Sequence, residues 1–492
     1  MSTIAVAGGG IGGLASALAL AARGHDIVVC ERNAQFTELG AGIQLAPNGM
    51  HALDRLGLAE AVGRIAVPVG ELRFMDGVTG EHVVAMPLDR HYRDRFRNAY
   101  VVVHRGELYR LLLDACRSHA RIDLRAAHAV VGYAHEPDTV RVLLADGASL
   151  GADALVGADG LHSAVRAQLV GDGAPRNSGI TVYRSIVPME RVPTHLRHMS
   201  VTWWAGPGRH FVHYPIAGGR FLNLAPSAEN APAETFSGVS VPASEVLGEF
   251  GALCESARRL LELGADWKAW VLVDREPVDG WTDGRVALLG DAAHPMLHYA
   301  AQGACMALED AVVLGELLDC PAGWFAARLG RYNAVRRERT ARVHRLARDS
   351  IALWHAADAA AEARNKALSA MSPGELYDFV AWLHGTREFA GSPSVTPAIP
   401  DPEESSAYTL GGRLDPTETP TSRTPPRSSE NAAVGSPASS ARSAGTYTLG
   451  GWLAPAEDPQ PVTPARSHRS RAAGSPASPR SAAGTTESPK SS

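Results

Sequence analysis

The chain has 492 residues, a length that at roughly 150 residues per domain predicts two to three domains, and its 45% hydrophobic and 20% charged residues are ordinary material for a globular core. Lysine and arginine number 47 against 52 acidic residues, so the formal charge of −5 gives no net pull toward nucleic acid or an anionic membrane. Cys30, Cys116, Cys254, Cys305 and Cys320 lie far apart without CxxC or Cys/His spacing, which argues against a disulfide framework or a metal site.

Residues 3–7 form a short apolar run, residues 11–23 have helical spacing up to Gly24, and residues 26–30 form a second apolar run. This is a βαβ unit. The apolar stretch 14–22 is not read as a signal core, because a glycine-rich loop rather than a cationic segment leads into it. No apolar run approaches the roughly 20 residues that cross a bilayer, and a cytoplasmic location is expected.

Between the first strand and the helix, Gly8-Gly9-Gly10-Ile11-Gly12-Gly13 satisfies GxGxxG through Gly8, Gly10 and Gly13. The first glycine permits a tight turn, the second lets backbone approach a pyrophosphate, and the third lets the helix pack on the strand. Glu31, with Arg32 beside it, ends the second strand where a carboxylate can accept hydrogen bonds from a ribose diol. This element alone leaves NAD and FAD both open, and a plain NAD-dependent dehydrogenase remains a rival.

From about 60 to 150 the pattern is mixed, with a helix at 106–118 and strands near 122–126 and 140–145. Residues 153–166 read as a strand ending in Gly157-Ala158-Asp159-Gly160 and entering a helix. From about 175 to 280, runs such as 200–204, 211–215 and 221–224 alternate with Gly and Pro turns, as in antiparallel strands of a separate sheet. Helical pattern returns from Gly303 to about Trp382. Beyond about 390 the composition turns to Ser, Thr, Ala, Gly and about half of the 32 prolines, too polar to offset ordering entropy, so 391–492 is expected to be disordered. That tail repeats Tyr-Thr-Leu-Gly-Gly at 408–412 and 447–451, and Gly-Ser-Pro-Ala-Ser at 435–439 and 474–478. A duplicated linker fits two such copies; a pair of docking motifs for an unknown partner, which would make the chain mainly a scaffold, is the alternative.

Two later segments separate the cofactors: Asp153–Arg166, and Gly284–Asp310 with its Leu289-Gly290-Asp291-Ala292-Ala293-His294-Pro295 core followed by Gln302-Gly303-Ala304. With the first motif, they resemble the single-component FAD-dependent aromatic hydroxylases of the para-hydroxybenzoate hydroxylase type, over about residues 1–390. The resemblance implies an α/β fold: a Rossmann-like FAD-binding domain of the GR2 type, interleaved with an antiparallel-sheet substrate domain and followed by C-terminal helices. The expected division is 1–175 for FAD, with a substrate-domain insertion around 65–100, 176–280 for the substrate sheet, and 281–390 for the second FAD motif and helices. No second GxGxxG is present, in keeping with a family whose NADH or NADPH binds only transiently. The Trp-x-Trp-x-Ile-Pro motif of related halogenases is absent, since Trp203-Trp204 does not match it.

The resemblance implies that Asp291 holds the ribityl hydroxyls, that Pro295 lies against the flavin ring, and that N–H groups at Gly303-Ala304 face the flavin edge where charge builds on reduction. Arg105 resembles the family arginine that reaches the cofactor. Asp159 belongs to the motif associated with FAD and the nicotinamide donor, or pins the strand–helix turn; Arg166 either serves that motif or pairs with a local carboxylate.

Residues 39–48, which include Ala41 and Gly42, together with 211–215 and 301–310, look like the branch that hydroxylates salicylate, 6-hydroxynicotinate and 3-hydroxybenzoate. Val182-Tyr183-Arg184, residues 204–207 and Asp274-Arg275-Glu276-Pro277 favour 6-hydroxylation of 3-hydroxybenzoate, which would give 2,5-dihydroxybenzoate from O₂ through a flavin C4a-hydroperoxide. Salicylate, 6-hydroxynicotinate or a polyketide phenol are the alternative substrates, and a homodimer is implied by the resemblance only.

Such chemistry needs an electron-rich ring, so a base must take the phenol proton. His213, on a substrate-sheet strand, is the candidate; a strand histidine in isolation is more often structural, and the resemblance tips the choice toward function. Gln302 either donates to a phenolic or carboxylate oxygen or caps its helix. Asp76, after residues 72–75, is a further substrate-site candidate. His298-Tyr299-Ala300 departs from the relatives just before the flavin-edge helix, where His298 either alters the preferred ring or faces solvent.

Overall fold

A computed structural model describes residues 1–37 and 40–389. The repeated tail, with its expected disorder and partner, lies outside the described residues, as does Leu39. A six-stranded sheet forms first, in the order Thr282–Asp283, Val286–Leu288, Ala154–Gly157, Thr3–Ala7, Asp26–Cys30 and Ile122–Arg125. Every pairing is parallel except the edge hairpin formed by its first two strands. The helix Ile11–Ala21 crosses between the first two strands of the chain and is buried almost all round. It sits between this sheet and the helix Gly303–Leu317, so it has no polar face to show. It stops two residues short of the expected 23, in a turn that leads to Gly24 at φ +86°.

A second sheet has eight strands, ordered Ser237–Ser240, Lys268–Asp274, Arg176–Pro188, Phe221–Glu229, Arg209–Ile216, Ser200–Gly206, Glu71–Asp76 and His82–Pro87. The last two come from the segment between the FAD-type motifs. Ser200–Gly206 and Glu71–Asp76 run parallel, unlike the rest of this sheet, because over a hundred residues of chain cross between them rather than a tight hairpin. One face of the sheet packs on the helices Ala243–Glu249 and Glu255–Glu262 through Phe211, Leu224, Phe250 and Leu260. The other face looks toward the parallel sheet. The long helical pattern after Gly303 resolves into Gly303–Leu317, Phe325–Trp354, Asp358–Ser369 and Pro373–His384, the last opened by a capping box of Ser372 and Glu375. Among the described residues, no helix is long and apolar enough to cross a membrane, and all five cysteines are free.

Candidate active site

A cavity of about 590 Å³ lies between the parallel sheet and the open face of the eight-stranded sheet. Its floor is the glycine turn. Gly8 has φ +102°, and a Cβ there would sit 2.4 Å from the Ala158 carbonyl oxygen. A Cβ on Gly13 would sit 2.0 Å from the Gly8 oxygen, so both positions demand glycine. At Gly10, by contrast, a Cβ would meet nothing within 4 Å: this backbone borders open space at the start of the helix Ile11–Ala21. Glu31 directly follows the neighbouring strand and accepts from the Gly9 N–H at 2.8 Å and from the Asn33 N–H at 2.9 Å. Oε1 also accepts from Asn33 Nδ2 at 2.6 Å, so Oε2 is the oxygen that keeps a lone pair for a ligand. Arg32 is exposed at the same rim.

Asp159 lines the cavity, yet its carboxylate is spent on the next helix. It accepts from Ser163 Oγ and from the N–H groups of Ala164 (2.8 Å) and Val165 (3.3 Å). It therefore pins the strand–helix turn, and burial raises its pKa against those hydrogen bonds. Arg166 pairs with Asp172 at 2.7 Å and also donates to the carbonyls of Ala292 and Ala293 at 3.0 and 2.6 Å. It thus ties the Asp159 segment to the Asp291 loop.

That loop is held from its other side by Asp310, which accepts from the Gly290 N–H at 3.1 Å, His294 Nε2 at 2.6 Å and Arg336 Nε at 2.7 Å. The His294 and Arg336 partners outweigh burial and hold Asp310 down at about 2. Asp291 itself is exposed to the cavity and makes no hydrogen bond among the described residues. Pro295 does not reach the cavity; it is buried behind Met296 and Leu297, which do. Ala41 is likewise set back, fixed by its carbonyl to the Arg105 N–H at 2.9 Å, while Gly42 and Arg105 line the wall.

On the eight-stranded sheet, alternation decides which side chains reach the cavity. Along Arg209–Ile216, His210, Val212 and Tyr214 face it, and Phe211 and His213 face away. The expectation of a base at His213 is thereby corrected to the opposite face. His213 packs against Trp204 at a ring separation of 6.3 Å and against Phe211 at 5.3 Å, and its Nε2 has no hydrogen-bond partner among the described residues. Burial, with Arg73 and His198 nearby, pushes it down to about 3. Asp76 is also displaced from the cavity. Its carboxylate accepts from the N–H groups of Val78 and Thr79, both at 2.9 Å, and from Asn365 Nδ2 at 2.6 Å, with Arg364 3.6 Å away.

The cavity face carries two groups to which the sequence assigned no site role, although Arg184 belongs to the Val182-Tyr183-Arg184 segment. His210 is 2% exposed and lowered well below the usual histidine range by burial, then by His355 and His298. Arg184, half-buried, has no carboxylate partner among the described residues; the Trp270 ring lies 5.6 Å from its guanidinium and its Nε is unpaired. His298 lines the cavity rather than facing bulk solvent, stacked at 5° on Tyr299 with its Nδ1 unpaired among the described residues.

Gln302 is set by a chain of forced donors. The buried Glu309 carboxylate can only accept, so Asn48 Nδ2 donates to it at 2.8 Å and turns its other hydrogen to Gln302 Oε1 at 2.9 Å. That leaves the Gln302 amide N–H groups for the cavity. Arg336 and Arg339 outweigh burial and hold Glu309 ionised. Ala301, just before, sits at φ +52° in the left-handed region, a cost of order 1 kcal/mol or more for a non-glycine residue. Past it begins the helix Gly303–Leu317, whose first N–H groups and positive end point at the cavity.

An FAD binding domain model matches residues 1–347 of this chain. The chain belongs to the FAD-binding domain family. It is 44% identical over 385 residues to 3-hydroxybenzoate 6-hydroxylase 1 of Aquipseudomonas alcaligenes, covering 78% of this chain and 98% of that one. It is 37% identical over 402 residues to 3-amino-4-hydroxybenzoate 2-monooxygenase of Streptomyces cremeus, covering 81% and 98%. An FAD complex of a Klebsiella pneumoniae HpxO variant superposes with a TM-score of 0.69 at 26% identity, covering 78% of this chain and 98% of that one. This protein is an FAD-dependent aromatic hydroxylase.

The cavity of this FAD-binding hydroxylase fits the cofactor in three places. The open backbone at Gly10 suits a pyrophosphate, the unsatisfied Asp291 carboxylate suits hydroxyl groups, and the Gly303 end of the helix suits an electron-rich ring edge. The motifs found these because each is a contiguous backbone device. His210 and Arg184 were missed because only the sheet's register tells one strand face from the other. One signal was available: alternation from Tyr214 through Val212 puts His210 and not His213 on a common face.

Proposed function

We propose that this hydroxylase converts 3-hydroxybenzoate to 2,5-dihydroxybenzoate with O₂ and NADH or NADPH. The observation that carries the reading is that a cation, an imidazole and an amide donor, Arg184, His210 and Gln302, open into one cavity against the N-terminus of the helix Gly303–Leu317. Bound FAD supplies hydride acceptance and oxygen activation. Arg184, a guanidinium without a counter-ion among the described residues, receives the substrate carboxylate. His210 Nε2 takes the phenol proton, and Gln302 Nε2 donates to the ring oxygen as charge accumulates there. The Asp159 and Asp291 loops, fixed to each other by Arg166, hold the two halves of the cofactor site in register. Apolar lining from Val182, Trp203, Val212 and Leu297 keeps bulk water from the reacting ring.

The 44%-identical 3-hydroxybenzoate 6-hydroxylase supports this substrate over salicylate and 6-hydroxynicotinate. The test is a panel of 3-hydroxybenzoate, salicylate, 6-hydroxynicotinate and larger phenols, each with NADH and with NADPH. Oxygen uptake, peroxide release and product NMR are read together. Tight coupling with 2,5-dihydroxybenzoate as product is expected; peroxide alone from 3-hydroxybenzoate, with another phenol hydroxylated cleanly, overturns the assignment.

A further inference from the structure

His210 does not end at the cavity wall. Its Nδ1 lies 2.8 Å from His355 Nε2, and His355 Nδ1 is hydrogen-bonded to Glu229 Oε1. The two imidazoles are buried, at 2% and 8% exposure, whereas the Glu229 side chain is 45% exposed. No other hydrogen bond of the His210 ring forms among the described residues, so Nε2 is the edge left for a ligand. Backbone holds the three in place: Gly208 N–H donates to the His355 carbonyl at 3.0 Å, and Glu229 N–H donates to the Gly208 carbonyl at 2.9 Å. His355 follows directly on the helix Phe325–Trp354, and Glu229 ends the strand Phe221–Glu229, so separate elements converge on the hairpin that carries His210.

We propose that His355 and Glu229 form, with His210, a proton-exit line from the cavity to solvent. This rests on the reading of His210 as the base of an aromatic hydroxylase. The transfer balances without a stored charge. The phenol O–H bond breaks and its proton joins His210 Nε2; the His210 Nδ1 proton passes to His355 Nε2; the His355 Nδ1 proton passes to the Glu229 carboxylate and from there to water. Both imidazoles end neutral with their tautomers exchanged, and reset when a proton returns along the same line.

A line is needed because burial that keeps His210 neutral also stops it from keeping the proton. The groups facing it are His298 and Tyr299 from the loop before the flavin-edge helix, and His355. Those facing His355 are Glu229, Arg209 and the Tyr299 hydroxyl, 3.2 Å from Nε2. Arg209 is itself drawn aside toward Glu249 at 3.5 Å. Glu229 is thus the one carboxylate in contact with the pair among the described residues, and it marks the direction of exit. His355 and Glu229 are positioning and transfer residues, not groups that touch substrate.

The test uses the full chain loaded with FAD and no reductant, with 3-hydroxy-4-nitrobenzoate as a probe whose phenolate absorbs in the visible. After a pH jump in stopped flow, the bound phenol is followed as it ionises. His355→Gln is expected to bind the probe with an unchanged Kd and to ionise it at least about tenfold more slowly, with the rate restored by added imidazole. Glu229→Gln, at the exposed end, is expected to slow ionisation in the same direction and to flatten its dependence on pH. Wild-type rates in both variants overturn the line, as does a loosened Kd with an unchanged ionisation rate. If His355→Gln does not fold, Glu229→Gln decides alone. Failure of the underlying function looks different: a probe that 3-hydroxybenzoate does not displace, or that never ionises in the wild-type cavity, removes the reading of His210 itself.

Discussion

The parallel sheet offers its ligand-facing groups on backbone turns, whereas the eight-stranded sheet offers them as alternate side chains on extended strands. At Gly8 and Gly13 the constraint is steric and absolute, and the residue type at each position is legible one by one. At His210 and His213 the residue type is the same and the constraint is the face of the strand. The two regions therefore fail differently when altered. Damage to the turn is expected to remove the cofactor site, while damage to a strand face is expected to remove one chemical step and leave the fold.

The largest effect expected from breaking that contrast is at Gly13. A Cβ there overlaps the Gly8 carbonyl at 2.0 Å, and backbone cannot move aside as a flexible side chain can. Gly13→Val is expected to yield protein that loses FAD by more than about a hundredfold in Kd, read by flavin fluorescence, or that does not accumulate as soluble material. Gly63→Ala is the control, since an added Cβ there meets nothing within 4 Å in the helix Ala59–Ile65; it should leave FAD affinity unchanged and stability equal or slightly higher. Equal loss in both would deny that close backbone approach is what Gly13 provides.

The next effect separates the two histidines. His210→Ala is expected to lower the hydroxylation rate by about 10²–10⁴-fold and to divert reduced oxygen to peroxide, with the acid limb of the pH profile lost. His213→Leu, which fills the same volume beside Trp204 and Phe211, is expected to keep the ratio of product to peroxide. Product and peroxide measured on both variants decide the matter: uncoupling by His213→Leu with normal turnover by His210→Ala would reverse the faces of the strand.

Most of the architecture was legible because its signals are local. Residues 3–7 and 26–30 were read to the residue, and the GxGxxG turn, Asp291 and Gly303-Ala304 fell into one cavity as their motifs imply. What was illegible depends on contacts between residues distant in sequence. Nothing in the neighbourhood of Asp76 announces Asn365, 289 positions away along the chain, or Arg364 beside it, which occupy its carboxylate. Arg166 and Arg336 likewise look like unremarkable helix arginines until the fold delivers Ala292, Ala293 and Asp310 to them. Pro295 shows a finer limit: the motif places the loop but does not say which of three consecutive residues faces inward.

The smallest expected effect at neutral pH lies on the buried side of the sheet and grows as the solution is acidified. His213 is held down at about 3 by burial, with His198 and Arg73 pushing the same way, whereas an unfolded imidazole titrates near 6.5. Between those values the unfolded chain binds a proton that the native state refuses. The contribution of the neutral imidazole to stability is therefore complete above about pH 6.5 and is lost progressively as pH falls below it. By pH 4 the difference reaches roughly 3 kcal/mol for this one group. His213→Leu removes the proton site while preserving the packing. Thermal midpoints of wild type and variant should nearly coincide at pH 8, and the variant should pull ahead steadily between pH 6.5 and pH 4. Parallel curves across that interval would mean that His213 is not held neutral by its surroundings, and that the away-facing side of the strand is wetter than its contacts with Trp204 and Phe211 imply.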